Sequence, residues 1–224
     1  MNKLLIFAGA GLSAESGITT FRDQNGLWSQ YDMHKVCNYF SFRENKLNLS
    51  YRENLFEFYN ELKRQMNQVE ANSAHMQIAE WQKELGNDRV KIVTSNLDLL
   101  LEKAGCSNVL HVHGSIDKMH CIACQHQWYA SEIFEDQRCG RCESRLTKPL
   151  VYFFGEKVPE YVKLKAMYHP KRINKDDVIL WIGSSMEVIS PSWLFRRNNK
   201  IIQAEKILVN LTTNEQDILF NKKL

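Results

Sequence analysis

The sequence predicts an α/β protein: a Rossmann-like parallel sheet with helices on both faces, carrying a small zinc-ribbon module. Three observations lead there. An apolar run, Leu4 to Ala8, ends in the glycine turn Gly9-Ala10-Gly11. Further short apolar runs alternate with segments of helical period, the pattern of parallel strands covered on both faces. Four cysteines fall as Cys121-x2-Cys124 and Cys139-x2-Cys142, with 14 residues between the pairs, the spacing of an all-cysteine zinc clip.

The elements follow in order. Lys3 to Ala8 reads as a buried strand entering a tight turn. Thr19 to Asn48 is polar and aromatic without a clean period, a long loop with short helices. Leu55, Phe58, Tyr59, Leu62 and Met66 recur at helical spacing. So do Ala74, Ile78, Trp81 and Leu85, with Asn72 or Ser73 as the N-cap and Gly86 as the stop. Arg89 to Thr94 is a strand, Leu97 to Lys103 a short helix ended by Gly105, and Val109 to His113 the next strand. Cys121 to Cys142 is polar with little to bury, so the metal must staple it. Leu150 to Phe154, Val178 to Ile182 and Lys206 to Asn210 complete the strands.

Bulk properties narrow the function. A chain of 224 residues holds one large domain, or a main domain with a small module. The net charge of +3 is too small to argue for a nucleic-acid or membrane partner. No apolar stretch reaches the roughly 18 residues of a membrane span. The first residues run straight into the glycine turn without the shape of a signal peptide, so the expected location is the cytoplasm. Six cysteines in a reducing cell favour metal over disulfides. Cys37 and Cys106, outside the clip, read as small buried hydrophobes.

The glycine turn permits close backbone approach, and amides at the following helix start suit a pyrophosphate. The acidic residue that usually follows about 20 positions on has no good counterpart, since Asp32 lies in the irregular segment. Histidine titrates near neutrality, which makes His113 a candidate base. Asn96 and Asp98 are an amide and a carboxylate two residues apart, able to grip a carboxamide.

From Gly9 to Arg22 the chain reads GAGLSAESGITTFR, which resembles the first signature of the sirtuin family of NAD-dependent protein deacylases. Further resemblances arrive in family order: Thr94-Ser95-Asn96-Leu97-Asp98, His111-Val112-His113-Gly114, the cysteine clip, Val151-Tyr152-Phe153-Phe154-Gly155-Glu156, Gly183-Ser184-Ser185 and Val209-Asn210-Leu211. They run from residue 4 to about 211. The whole chain, 1–224, then reads as one catalytic domain of that type. Its Rossmann-like part takes in about 1–35, 71–115 and 148–224, and its small module about 36–70 and 116–147.

The resemblance implies an NAD-dependent protein-lysine deacylase, a deacetylase first of all. It transfers the acyl group of a protein or peptide to ADP-ribose and releases nicotinamide. His113 would be the general base and Asn96 its catalytic companion. NAD would be held by Gly9, Ala10, Gly11, Ser13, Thr20, Phe21, Arg22, Trp28, Ser95, Asn96, Leu97, Asp98, His113, Gly183, Ser184, Ser185, Asn210 and Leu211. The acyl-lysine peptide would meet Tyr59, Val151, Tyr152, Phe153, Phe154 and Gly155, the last five by strand addition. One structural zinc would sit on Cys121, Cys124, Cys139 and Cys142. Protein ADP-ribosyl transfer and NAD hydrolysis break the same bond and stand as alternatives; a zinc-ribbon binding module without catalysis is a further one.

Departures from the family pattern carry information. Ser95 stands where the family has Gln, and Thr19-Thr20 where Pro-Asp is common. Desuccinylase-type relatives read acidic acyl groups with Tyr-x-x-Arg; here Tyr59 is kept but Leu62 stands at the Arg position. Without a guanidinium, neutral acyl groups are expected. Relatives also continue past the adenosine motif with another strand and helix, so a more open adenine pocket is expected, or one finished by a neighbouring subunit.

Overall fold

The computed structural model describes residues 3–18, 31–197 and 200–224. The first strand, β1 (Leu4–Ala8), lies at the centre of a six-stranded parallel sheet. The turn after it enters α1 (Gly11–Ala14). The chain then builds α2 (Met33–Val36), α3 (Tyr39–Asn45) and the 19-residue α4 (Leu49–Asn67) before α5 (Ser73–Leu85) leads back to β2 (Val90–Thr94). Then come α6 (Leu100–Lys103) and β3 (Leu110–His111). An antiparallel sheet follows, from β4 (Gly114–Cys121), β5 (Gln127–Tyr129) and β6 (Thr147–Val151). The rest is α7 (Glu160–Met167), β7 (Val178–Ile182), α8 (Pro191–Phe195), β8 (Arg196–Arg197), β9 (Lys200–Ile201), β10 (Glu205–Val209), a 3-10 helix at Glu215–Leu219 and β11 (Lys222–Lys223).

The parallel sheet runs β11-β10-β7-β1-β2-β3, so the chain winds to one side of β1 and returns on the other. Loops diverge at that switch and open a crevice at the carboxyl ends of the strands. Alternation along β1 fills both faces. Leu5 and Phe7 point into one core with Trp181, Tyr168 and Phe195. Leu4, Ile6 and Ala8 point into the other with Ile78, Ile92 and Leu101. Phe7 stacks on Trp181 with ring centroids 3.9 Å apart.

Local signals explain the helices. Asn72 caps α5 by accepting from the amides of Ala74 and His75, and Gly86 (φ 86°) ends it. Asn38 and Asn48 cap α3 and α4 in the same way. The small module is held by its own core, in which Phe42, Leu55, Phe58, Tyr59 and Leu62 meet Ile116, Met119 and Phe153.

Several expected boundaries move. The strand expected at Leu150–Phe154 is β6, Thr147–Val151, and it pairs antiparallel with β4 rather than joining the parallel sheet. Beyond Val151 the chain bends and Phe154 bridges the α2–α3 junction instead. Strand β4 itself was hidden in the sequence by an irregular register between Gly114 and Met119, which breaks the alternation of period two. The third parallel strand is two residues long, because only Leu110 and His111 pair with β2. His113, expected within that strand, therefore lies in a turn two residues beyond its end. Residues after β10 add a 3-10 helix and β11, whose pairing with β10 supplies a further strand past the adenosine motif. No helix among the described residues is long and apolar enough to cross a membrane.

Where β1 and β7 end, backbone touches backbone. A Cβ on Gly9 would lie 2.6 Å from the Gly183 oxygen, and one on Gly183 2.3 Å from the Leu12 nitrogen, at a φ of +64°. Gly183→Ala should therefore lower stability by about 2 kcal/mol or more, read as a lower urea midpoint at unchanged slope. Gly140→Ala, with nothing within 4 Å of the added carbon, serves as the control and should leave the midpoint close to wild type.

Candidate active site

Four strands bring the expected cofactor residues to one level. Ala8 is in register with Thr94 and with Ile182, and Ile182 with Val209. Each is the last residue of its strand, so Gly9, Ser95, Gly183 and Asn210 all emerge along the carboxyl edge. Ala10 and Gly11 are exposed there.

The glycine turn is closed by its own hydrogen bonds. Gly9 N donates to Ile182 O (2.9 Å) and Gly11 N to Gly183 O (2.7 Å). Asn96 ties β2 to that turn: its Nδ2 donates to Gly9 O (3.0 Å) and to Ser13 Oγ (3.1 Å). Ser13 is buried and its Oγ lies 3.5 Å from His75 Nε2. His75 forms a capping box with Asn72, whose Nδ2 donates to Leu12 O at 2.8 Å. Burial pushes His75 below the usual histidine range, against the pull of Asp98. No pattern in the sequence marks this buried chain from Asn96 through Ser13 to His75. Three residues far apart in sequence meet only once β1, β2 and α5 have packed.

Asp98 Oδ1 accepts from Leu100 N, the first residue of α6, at 3.1 Å. Leu97 is buried against the small module, and its carbonyl accepts from Ile116 N (3.0 Å). Ser95 Oγ turns back to the Ala8 carbonyl at 3.4 Å. On the far side of the edge, Ser184 Oγ accepts from Met186 N (3.2 Å), and Asn210 Nδ2 donates to Ser184 O (3.1 Å). Ser185 O accepts from Asn214 Nδ2 (3.4 Å), while Leu211 is fully exposed. Thr20, Phe21, Arg22 and Trp28 lie outside the described residues.

His113 sits where the parallel sheet meets the small module. The next residue, Gly114, has φ +93°, and a Cβ there would fall 1.9 Å from Leu150 O, so only glycine lets the turn lie against β6. His113 O accepts from Tyr152 N at 2.9 Å, and His113 Nε2 lies 3.3 Å from Tyr161 Oη. Burial pushes His113 below the usual histidine range, against a hydrogen bond from its ring to the Ser95 backbone. His111 has the opposite character. Its Nδ1 faces Asn96 O (3.0 Å) and its Nε2 faces Glu102 Oε1 (2.9 Å). Burial opposes its charge, but Glu102 and the Asn96 carbonyl outweigh that and raise it above the usual range.

The expected peptide-contact residues divide. Phe154 is half exposed and Gly155 is exposed, with Phe40 packed over the glycine. Val151, Phe153 and Tyr59 are core residues; Tyr59 is fully buried, stacks on Phe153 at 5.9 Å and donates to Val36 O at 3.0 Å. Beneath this segment lies a buried ion pair that the sequence did not reveal. Lys148 Nζ reaches Glu156 Oε2 (3.1 Å) and Val151 O (2.6 Å), and Glu156 Oε2 accepts from Phe153 N (2.9 Å).

The four clip cysteines place their sulfurs within 4.8 Å of one another. Cys121 and Cys142 are 3.6 Å apart, Cys124 and Cys139 3.7 Å. Tetrahedral zinc with Zn–S near 2.3 Å requires about 3.8 Å between sulfurs, so the set fits the ion. The two loops are built alike. Gln125 (φ 61°) and Glu143 (φ 57°) follow the second cysteine of each pair and donate to the carbonyl of the first, both at 2.9 Å or less. All four positions are filled by protein, so the metal would be structural. Cys37 and Cys106 lie in separate cores, and burial pushes the Cys106 thiol up to about 11.

A parallel sheet with its polar residues at the switch, a half-buried histidine beside them and a four-sulfur clip define a dinucleotide-using α/β enzyme with a structural metal. Comparison with known proteins gives the family. The Sir2 family model matches residues 9–190. An NAD-dependent protein deacylase of Helicobacter hepaticus is 36% identical over 207 residues, covering 86% of this chain and 78% of that one. NAD-dependent protein deacylase 2 of Archaeoglobus fulgidus is 35% identical over 226 residues, covering 98% and 84%. Among solved structures, a mutant Sir2 homologue in complex with ADP-ribose superposes with a TM-score of 0.81 at 28% identity, covering 99% of this chain and 85% of that one. A Sir2 homologue in complex with NAD gives 0.76 at 28% identity, covering 99% and 83%. The chain belongs to the Sir2 family.

The protein should carry one zinc per chain, measured by metal analysis after gel filtration. Stripping it with a chelator, or replacing Cys124 by Ser, should lower the melting temperature by about 6 °C or more.

Proposed function

We propose that this chain is an NAD-dependent protein-lysine deacylase, acting first on acetyl-lysine. One observation carries the reading: a neutral, half-buried His113 lies at the junction of the carboxyl edge of the sheet with the Tyr152–Gly155 segment. A base there can serve a dinucleotide on one side and a peptide on the other. The names of the relatives point the same way.

Bound NAD would supply an electrophilic ribose carbon whose bond to nicotinamide breaks as the acyl oxygen attacks. The protein's own groups do the rest. The exposed Ala10 and Gly11 would lie against the dinucleotide along the edge, with Ser185 and Asn210 towards its far end and Asn96 and Asp98 at the nicotinamide side. His113 accepts the proton of a ribose hydroxyl, which then attacks the acyl carbon. Its depressed pKa keeps the ring ready to accept that proton at neutral pH. Phe154 and Gly155 offer the exposed segment on which an extended peptide can pair.

Tyr59 and Leu62, the positions that would read an acidic acyl group, are both buried. Arg64 is turned to Glu61 on the surface of α4. That supports a preference for neutral acyl groups. Six cysteines held as a metal clip and two separately buried thiols fit a reducing compartment, and we place the protein in the cytoplasm. The inward turn of Ser95 favours a second reading, in which a looser grip on the ribose lets water or another protein group take the ADP-ribose.

Incubation with NAD and an acetyl-lysine peptide should yield nicotinamide and O-acetyl-ADP-ribose together. His113→Ala should lower that turnover by about 10²-fold or more. Nicotinamide released without loss of the acetyl group would favour the second reading. A succinyl-lysine peptide should react about tenfold more slowly or worse, for want of a guanidinium. The acid limb of kcat/KM should lie below about pH 6.5, because the required neutral His113 has its pKa lowered by burial; activity falls as pH drops through it.

A further inference from the structure

Nothing in the motifs singles out Tyr161, in the first turn of α7, yet its hydroxyl is the group that faces Nε2 of His113, at 3.3 Å. Between a phenol and a neutral imidazole the favoured bond runs from the O–H to the bare ring nitrogen, because the phenol is the stronger donor and the imidazole nitrogen the stronger acceptor. Nε2, the nitrogen turned to Tyr161, is then the bare one. In the neutral ring the single proton then sits on Nδ1, and Nε2 carries a free lone pair. A phenol beside a lone pair donates to it. Burial pushes the Tyr161 phenol above the usual tyrosine range, which keeps it a donor.

The phenol ring is packed between two aromatic neighbours. Its ring meets His113 edge-on at 6.3 Å and Trp193 at 5.7 Å, and Lys165 Nζ covers Trp193 at 4.3 Å. Burial and the neighbouring Glu160, the preceding residue, push the Tyr152 phenol above the usual tyrosine range, and Tyr152 N donates to the His113 carbonyl. Of the charged groups on the surrounding elements, Glu102 of α6 is engaged with His111 and Lys165 of α7 with Trp193.

We propose that Tyr161 is a positioning residue for the base: its hydroxyl donates to Nε2 of His113, holds the ring in the Nδ1–H form, and yields that nitrogen to a substrate hydroxyl on binding. The last step rests on the deacylase reading; the hydrogen bond does not. In that step the substrate O–H proton passes to Nε2, giving an imidazolium, and the phenol keeps its own proton.

The test is nitrogen-15 NMR of histidine-labelled protein without NAD or peptide. His113 should be the Nδ1–H tautomer, and Tyr161→Phe should move its Nε2 resonance downfield, towards an unbonded lone pair. Trp193→Phe, which disturbs the same aromatic stack but removes no hydroxyl, should leave that resonance in place. In turnover, Tyr161→Phe should lower kcat by about fivefold with peptide KM nearly unchanged, the effect of one lost hydrogen bond on ring placement. An Nε2–H tautomer in the wild type, an unmoved resonance in Tyr161→Phe, or an unchanged kcat would overturn the proposal. A wild type that fails to transfer acyl groups would sink the deacylase reading and leave the NMR result to stand alone.

Discussion

Everything at the carboxyl edge depends on how closely two backbones approach where β1 and β7 end. Gly11 N reaches Gly183 O at 2.7 Å, and the space between them admits no side chain. This contact sets the height of the glycine turn over the sheet. Asn96 donates to the Gly9 carbonyl of the turn, Asn72 to the Leu12 carbonyl in α1, and Asn210 to the Ser184 carbonyl on the other side. A shift of the turn would therefore move four strand ends at once. Close-packed interiors transmit such strain instead of absorbing it.

The second coupling runs from the small module into the site. The zinc clip closes β4 against β6, and Gly114 allows the turn that carries His113 to lie directly on Leu150. Arg52 of α4, almost wholly buried, reaches Asp136 and the Thr147 carbonyl at 3.0 Å, which pins the helical half of the module to the zinc half. Lys148 and Glu156 hold the following bend. Removing one member of such a buried pair leaves an uncompensated charge, so the pair keeps Val151 to Phe154 in a single arrangement beside His113. A metal remote from the chemistry thus acts on it through packing.

Much of the molecule was legible in the sequence, for identifiable reasons. Strands β1, β2, β7 and β10 are short apolar runs closed by a turn, because a buried parallel strand needs apolar residues on both faces. Helices α4 and α5 announced themselves by period and by caps. Clip spacing fixed the zinc site because four thiolates must reach one ion. Strand β4 was not legible, since its irregular register spoils the alternation. The course of 150–154 was not either, because its partners, Gly114 and Asn38, are distant in sequence and one of them is a single bridge.

Local pattern by itself determined the α/β class, the metal clip and the glycine turn, while the order of the family motifs pointed to His113. Those depend on spacing along the chain, and spacing is what a sequence records. Only the tertiary structure decided that His111 is held between a carboxylate and a carbonyl while His113, two residues on, is neutral. It alone placed Tyr59 in a core, Asp98 at the start of α6, and Tyr161 against His113. Protonation and burial are set by which groups come within a few ångströms, and those groups come from β2, α6 and α7, joined only when the sheet and the module pack together.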